Sequence, residues 1–307
     1  MKEAYYKPSG KLTANFFLYF VLFTIIGAPI LSVVYIYLIH YIPFIYLNFM
    51  IAILCGMALG ALVLFAAKLG KARNPLAVLV CTLIAAIFMK YIQWCVYVPL
   101  TLDNVFGLYE AYGIDMTLWG RFEETYYYLS SPGEVYDWVV RINEVGAWGI
   151  GSGAAVKGGM LLFVWIAEFA LMAATSVVIS RRQARFPYSE ESDGWYTKIN
   201  KKIDMDMPFD FAAMRNSMES GDFTDFVRNA TAGKANNDQY LMLKFYEPPR
   251  QLPQEPYYLD ITAFTTAKRG KKSMNMLVQY LAIDAQTANR ITSGTASLSG
   301  NNIQNNG

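Results

Sequence analysis

The chain has 307 residues, a formal charge of +2, 54% apolar residues and only 16% charged ones, against roughly a quarter charged in an average soluble domain. The deficit is concentrated: residues 12–100 hold four charged side chains, Lys68, Lys71, Arg73 and Lys90. A wholly soluble fold would spread charge over its entire surface, so that class is excluded. The near-zero net charge gives no case for nucleic acid.

A spanning helix needs about 20 apolar residues, and four runs meet that length. The first covers 14–40, or about 40 Å at 1.5 Å per residue. It is longer than a hydrocarbon core and holds Pro29, which cannot donate to the carbonyl of Ile25 and predicts a kink. At roughly twice the length of a signal-peptide core and without a convincing cleavage site, it reads as a retained helix. The second run covers 44–67, the third 76–99 and the fourth 159–180. Gly56 and Gly60 in the second form a GxxxG pattern that permits close helix approach, within the chain or to another copy.

Basic residues orient the spans. Lys2, Lys7 and Lys11 precede the first, Lys68, Lys71 and Arg73 join the second to the third, and Arg181, Arg182 and Arg185 follow the fourth. With four spans these groups share one side, the cytoplasm, and both termini lie there. The opposite side receives 101–157, with eight acidic and three basic residues. Tyr35, Tyr37, Tyr41 and Tyr46, with Tyr91, Trp94 and Tyr97, suit the headgroup level of that outer boundary.

Within 101–157 the sequence Ser131-Pro132-Gly133-Glu134 predicts a capped helix start. Val135, Trp138, Val139 and Ile142 then place an apolar stripe on one face. That stripe suits a membrane surface or the mouth of the bundle. A second helix is expected over 116–129. Gly146–Gly153 superficially resembles a phosphate loop, but no strand precedes it, and a tight entry into the fourth span is the plainer reading.

Two ionisable residues fall deep inside spans. Lys90 and Glu168 each lie about ten residues from the outer ends of antiparallel neighbours, hence at equal depth, and Gln93 lies beside Lys90. Buried charge in a bilayer is costly, so Lys90 and Glu168 are expected to pair. The pair serves either as a structural register lock or as part of an ion or proton route. Cys55, Cys81 and Cys95 all fall in apolar runs and read as packing residues. His40 is the only histidine, so no metal cluster can be built on imidazole.

Beyond Arg185 the composition changes: 186–307 hold 13 basic and 14 acidic residues. Residues 181–204 read as a polar linker, with the acidic run Glu190-Glu191-Ser192-Asp193 solvated. A small α+β domain is expected over 205–291. It begins with a helix from Pro208 to Glu219, resuming over 222–229. Strands follow over 239–247 and 257–266, then a basic hairpin turn at Lys268–Lys272 and a return strand over 273–283. Met274, Met276, Val278 and Tyr280 should share one face of that strand. Residues 292–307 are too polar to pack and are expected to be disordered.

The helix start at Ser131-Pro132-Gly133-Glu134, the segment Asn143–Trp148, Trp165 with Glu168, and Pro187 with Glu190 and Trp195 together resemble a group of uncharacterised bacterial multi-pass membrane proteins. The resemblance covers about residues 131–196. It implies four helices and a cytoplasmic C-terminal domain, and no activity. Relatives of that kind carry cysteines where this chain has Ser189 and Ser192. The resemblance thus implies that thiol or metal chemistry is absent here, because hydroxyls replace thiolates poorly.

The fold class expected is therefore a four-helix transmembrane bundle, 1–180, with an extracytoplasmic helical segment and a small cytoplasmic α+β domain. No catalytic, cofactor or metal site is expected, and the chain does not read as an enzyme. The function expected is that of a bacterial inner-membrane structural or interaction subunit, or a membrane-anchored adaptor. Its partners would be lipid, other membrane or cytoplasmic proteins, or further copies of itself. The alternative is a small transporter, channel or sensor using Lys90, Gln93 and Glu168.

Overall fold

The computed structural model describes residues 4–42, 44–106, 118–146, 148–149, 155–204, 211–226, 239–250, 252, 254–266 and 272–291. It divides into two compact units, 9–185 and a second made of 1–8 with 186–307.

The first unit is built on four long apolar helices, each long enough to cross a membrane: α1 (Ala14–Tyr41), α2 (Ile45–Leu69), α3 (Pro75–Phe106) and α6 (Gly159–Ala184). Their ends follow from local chemistry. Thr13 caps α1, its hydroxyl oxygen accepting from the Phe16 N–H at 3.2 Å. Asn74 caps α3 by accepting from the Leu76 and Ala77 N–H groups at 3.1 and 3.0 Å, with Pro75 following it in the first turn, where a proline costs no hydrogen bond. Arg181 and Arg182 occupy the last turn of α6, where cations oppose the helix dipole. α1 runs on through Pro29. α3 runs past Pro99 to Phe106, beyond the expected end of the third span.

Two shorter helices, α4 (Leu118–Ser130) and α5 (Pro132–Val145), lie against α3. Ser131 is the N-cap residue of α5, but its side chain makes no capping bond, so the expected reciprocal cap is not formed. Val135 and Ile142 are buried and Trp138 and Val139 half-buried; all four pack with Cys95, Val98 and Leu102 of α3. The predicted stripe therefore packs along the side of the C-terminal part of α3. The glycine-rich entry to α6 carries a minimal hairpin, β1 (Trp148–Gly149) with β2 (Ala155–Val156). Positions 147 and 150–153 of that entry lie outside the described residues.

α1 and α3 run parallel, as do α2 and α6. The second pair approaches closest at the two glycines. A Cβ on Gly56 would fall 2.4 Å from the Met172 carbonyl oxygen, and one on Gly60 2.6 Å from that of Ser176. The Ser176 hydroxyl donates to the Gly56 carbonyl at 2.8 Å. The GxxxG pattern thus seats α2 on α6 of the same chain.

The second unit holds a four-stranded antiparallel meander, β5 (Thr197–Asp204), β6 (Gln239–Glu247), β7 (Tyr257–Thr266) and β8 (Lys272–Ile283), paired in that order. A short hairpin, β3 (Tyr188–Ser189) with β4 (Gly194–Trp195), precedes it. Met214 and Met218 of α7 (Phe211–Glu219) join Phe223 and Phe226 over the inward face of the sheet, led by Leu241, Leu243, Phe245, Leu259 and Ile261.

Three expectations need correction here. The segment 181–204 is not a linker: its last eight residues form the edge strand β5, paired along its whole length with β6. The lysine-rich sequence of that edge discourages pairing with another sheet. Residues 4–6 do not belong to the helical unit but add to β8, the Tyr6 N–H donating to the Tyr280 carbonyl at 3.0 Å and the Ala282 N–H to the Ala4 carbonyl at 2.8 Å. Nor does β8 keep one alternation. A bulge shifts the register between Leu259↔Leu281 and Ile261↔Val278, so Val278, Leu281 and Ile283 face the core while Met274 and Met276 are exposed. Tyr280 takes a positive φ of 56° at the bulge. Asp260 accepts its N–H at 2.7 Å and the Tyr246 hydroxyl at 2.7 Å. The predicted basic turn, apart from Lys272 in β8, lies outside the described residues, as do 227–229, 205–210 and the tail 292–307.

Candidate functional site in the helix bundle

All four long helices send polar groups to one level of the bundle. Glu168 of α6 is buried, and its Oε2 accepts from the hydroxyl of Tyr35 of α1 at 3.1 Å. Tyr35 is 1% exposed, so it is an interior residue and not part of the boundary ring of aromatics. Gln93 of α3 is also 1% exposed; its Nε2 donates to the Met172 sulfur at 3.6 Å, while its Oε1 is buried without a partner. Cys55 of α2 is buried, with its sulfur 3.8 Å from the Leu31 carbonyl oxygen.

The expected Lys90–Glu168 ion pair is not formed. Lys90 is half-buried, and its ammonium lies 5.0 Å over the ring of Trp94, a cation–π contact one helical turn along. The two opposite charges are near enough to act on each other through space, but the carboxylate takes its hydrogen bond from Tyr35. Lys90 and Glu168 thus lie on neighbouring helices, but the hydrogen-bond donor to Glu168 is Tyr35 of α1. α3 does present Thr82 and Trp94 to α6: the Thr82 hydroxyl donates to that of Ser180 at 2.8 Å, and the Trp94 and Trp165 rings meet edge to face at 4.8 Å.

Hydroxyls satisfy further interior polarity. Ser32 of α1 donates to the carbonyls of Ala28 at 2.7 Å and Met89 at 3.0 Å. These bonds matter because an unmatched polar group in an apolar interior loses its hydration with nothing in its place. Tyr35 and Ser32 were missed as site residues. A signal for them exists, since Ala28, Ser32 and Tyr35 follow one another at intervals of four and three along one face of an otherwise apolar helix.

The second unit has its own buried carboxylates. Glu255 is 8% exposed and its Oε1 accepts from the hydroxyls of Ser189 and of Ser192, the latter at 2.9 Å. The Ser189 oxygen in turn accepts from the Ser192 N–H at 2.8 Å. The Tyr188 hydroxyl donates to the Asp193 carboxylate. Part of the acidic run read as solvated is thus built into the β3–β4 hairpin. Burial pushes the Asp260 carboxyl above its ordinary range, against the pull of the Tyr280 N–H and the Tyr246 hydroxyl, and burial with the Asp260 bond raises the Tyr246 phenol. Gly56 and Gly60 act as packing positions. Comparison with family models, curated proteins and solved structures finds no match for this chain.

Proposed function

We propose that this chain is a four-span protein of the bacterial inner membrane with both termini in the cytoplasm. It serves as a structural or interaction subunit that ties a small α+β unit to the bilayer, working with other proteins or with further copies of itself. The spans are supported by the belt of exposed apolar side chains along α1, from Phe17 and Leu18 to Val34 and Leu38. The orientation is supported by the clustering of Lys11, Lys68, Lys71, Arg73, Arg181 and Arg182 at one end of the helices.

The observation that carries the structural reading is how the interior polar groups are used. Tyr35 binds Glu168, Thr82 binds Ser180, and Ser32 and Ser176 bind carbonyls of neighbouring helices. Such bonds hold helices to each other. Purification from membranes in mild detergent tests the reading: a stoichiometric partner or a stable homo-oligomer is expected, and a lone monomer in every detergent tried contradicts it.

Two observations favour the transport or sensing alternative. The Gln93 Oε1 is buried without a partner, and the Lys90 ammonium makes no contact with a carboxylate. Ion or proton flux in proteoliposomes that Glu168→Gln abolishes would select this alternative.

A further inference from the structure

The α4–α5 hairpin joins α3 well below the ends of the spans. The Thr82–Ser180 and Trp94–Trp165 contacts fix the antiparallel register of α3 and α6. In that register Gly159, the first residue of α6, stands level with Leu100 to Asp103. The bond from Ser32 to the Met89 carbonyl sets α1 beside α3 in agreement, Tyr41 standing level with Val98 and Val34 with Tyr91. Tyr91 is thus about 10 Å inward of the end of α1 and roughly 14–18 Å inward of the start of α6 at 1.5 Å per residue. Yet the Tyr91 hydroxyl donates to the carbonyls of Tyr128 and Leu129, at 3.0 and 2.9 Å, where α4 turns into α5. The far end of α5 is back at the rim: the Gly158 N–H donates to the Asn143 carbonyl at 2.8 Å, and Asn143 Nδ2 donates to the Gly158 carbonyl at 3.1 Å. The hairpin therefore descends along α3 to about half depth and returns.

Its free face mixes exposed rings, among them Phe122, Tyr126, Tyr127 and Tyr136, with charge that lipid tails do not accept. Glu123, Glu134, Asp137, Arg141 and Glu144 are all exposed, and Glu134 lies in the first turn of α5 beside the half-depth corner. Charge at that depth is tolerated where it lines water. α3 changes character at the same level. Val80, Ile84 and Ile87 are exposed apolar residues below it, and above it α3 is covered by the hairpin. Lys90 adjoins Tyr91 there, half-buried and without a carboxylate contact, with its ammonium on Trp94, a ring that itself packs against the hairpin cluster.

We propose that the α4–α5 hairpin is a re-entrant wedge that holds a water-filled recess against the outer half of α3, down to the level of Lys90. The proposal rests on the reading of α1, α2, α3 and α6 as membrane spans. It makes the polar centre of the bundle a site approached from the outer side.

Single cysteines in the full chain, in right-side-out membrane vesicles, test it. The three native cysteines are buried and supply the blank. Val34→Cys lies at the depth of Tyr91 on α1, where Val34 is 51% exposed. Gly133→Cys lies at the hairpin corner, where an added Cβ meets nothing within 4 Å. A membrane-impermeant maleimide should label Gly133→Cys at least about tenfold faster than Val34→Cys. A short rigid bismaleimide should cross-link Tyr91→Cys to Leu129→Cys in the same vesicles. Labelling of Gly133→Cys by permeant reagents alone would put the corner in lipid and overturn the proposal. Labelling without the cross-link would put the corner above the bilayer and overturn it too. Val34→Cys reacting as fast as Gly133→Cys from water would instead sink the four-span reading itself.

Discussion

Adding one methyl group at Gly56 should drive α2 from α6. The new Cβ would stand 2.4 Å from the Met172 carbonyl oxygen and 2.8 Å from the Met172 Cα, both backbone atoms that no rotamer change can move. Ordinary contact lies at about 3.5–4.0 Å, so the helices must part by roughly 1 Å locally. Overpacking of this kind costs about 1–3 kcal/mol. Separation also stretches the Ser176–Gly56 hydrogen bond, now 2.8 Å, a class of bond worth about 0.6 kcal/mol between membrane helices. Gly56→Ala should therefore cost roughly 1.5–3.5 kcal/mol, less any gain from alanine's better helix propensity, which is up to about 1 kcal/mol. Gly60→Ala should behave alike, because its Cβ would meet the Ser176 carbonyl oxygen at 2.6 Å. The two together should cost less than their sum, since one separation relieves both clashes. Gly27→Ala is the internal comparison: its 2.3 Å clash is with Cδ1 of Leu62, the end of a flexible side chain, and should relax more cheaply. Gly133→Ala meets nothing and should be neutral or slightly stabilising. Reversible unfolding in bicelles or mixed micelles measures all of these. A Gly56→Ala chain as stable as Gly133→Ala would refute the packing argument.

A double-mutant cycle separates the two candidate partners of Glu168. Tyr35→Phe with Glu168→Leu, which removes the acceptor, should show coupling of about 0.5–1.5 kcal/mol, and Lys90→Met with Glu168→Leu a smaller value, because only the first pair shares a hydrogen bond. The reverse order would restore the ion pair that the geometry denies. Asp260 makes the second unit pH-sensitive. Its folded pKa is raised by burial, so its contribution to stability is fully present below the ordinary carboxylate value, about 3.9, and is lost as pH rises through the folded value. Thermal unfolding of the full chain, followed by a label on the second unit, should show stability falling with rising pH over that window. Asp260→Asn should flatten the slope while costing about 1–3 kcal/mol through an imperfectly matched Tyr246 or Tyr280 donor. Equal slopes in the two proteins would contradict this assignment.

The four long helices coincide with four uninterrupted apolar runs because lipid-facing and core-facing sides of a spanning helix are both apolar. β6 and β7 were legible from alternation and β-branched residues. β5 was not: an edge strand with only Ile199 and Ile203 among its apolar residues looks like a linker until its partner is known. The bulge at Asp260 was equally hidden, since Asp260 on β7 explains a phase change in β8 that no local pattern announces. In the bundle, residue types and depths pointed to Lys90, Gln93 and Glu168. The donor to Glu168 escaped because a tyrosine near the end of a long apolar helix resembles an interfacial residue, and only the rotation of α1 turns Tyr35 inward. The continuation of α3 through Pro99 was missed because proline usually ends a helix.

The most direct test of the account is topology. Paired reporters fused after Arg185 and within the α4–α5 hairpin, one fluorescent only in the cytoplasm and one enzymatically active only outside it, should report opposite compartments, with Arg185 inside. Both fusions reporting the same compartment, or Arg185 reporting outside, would contradict the four-span arrangement and everything argued from the depth of Tyr91, Lys90 and Glu168.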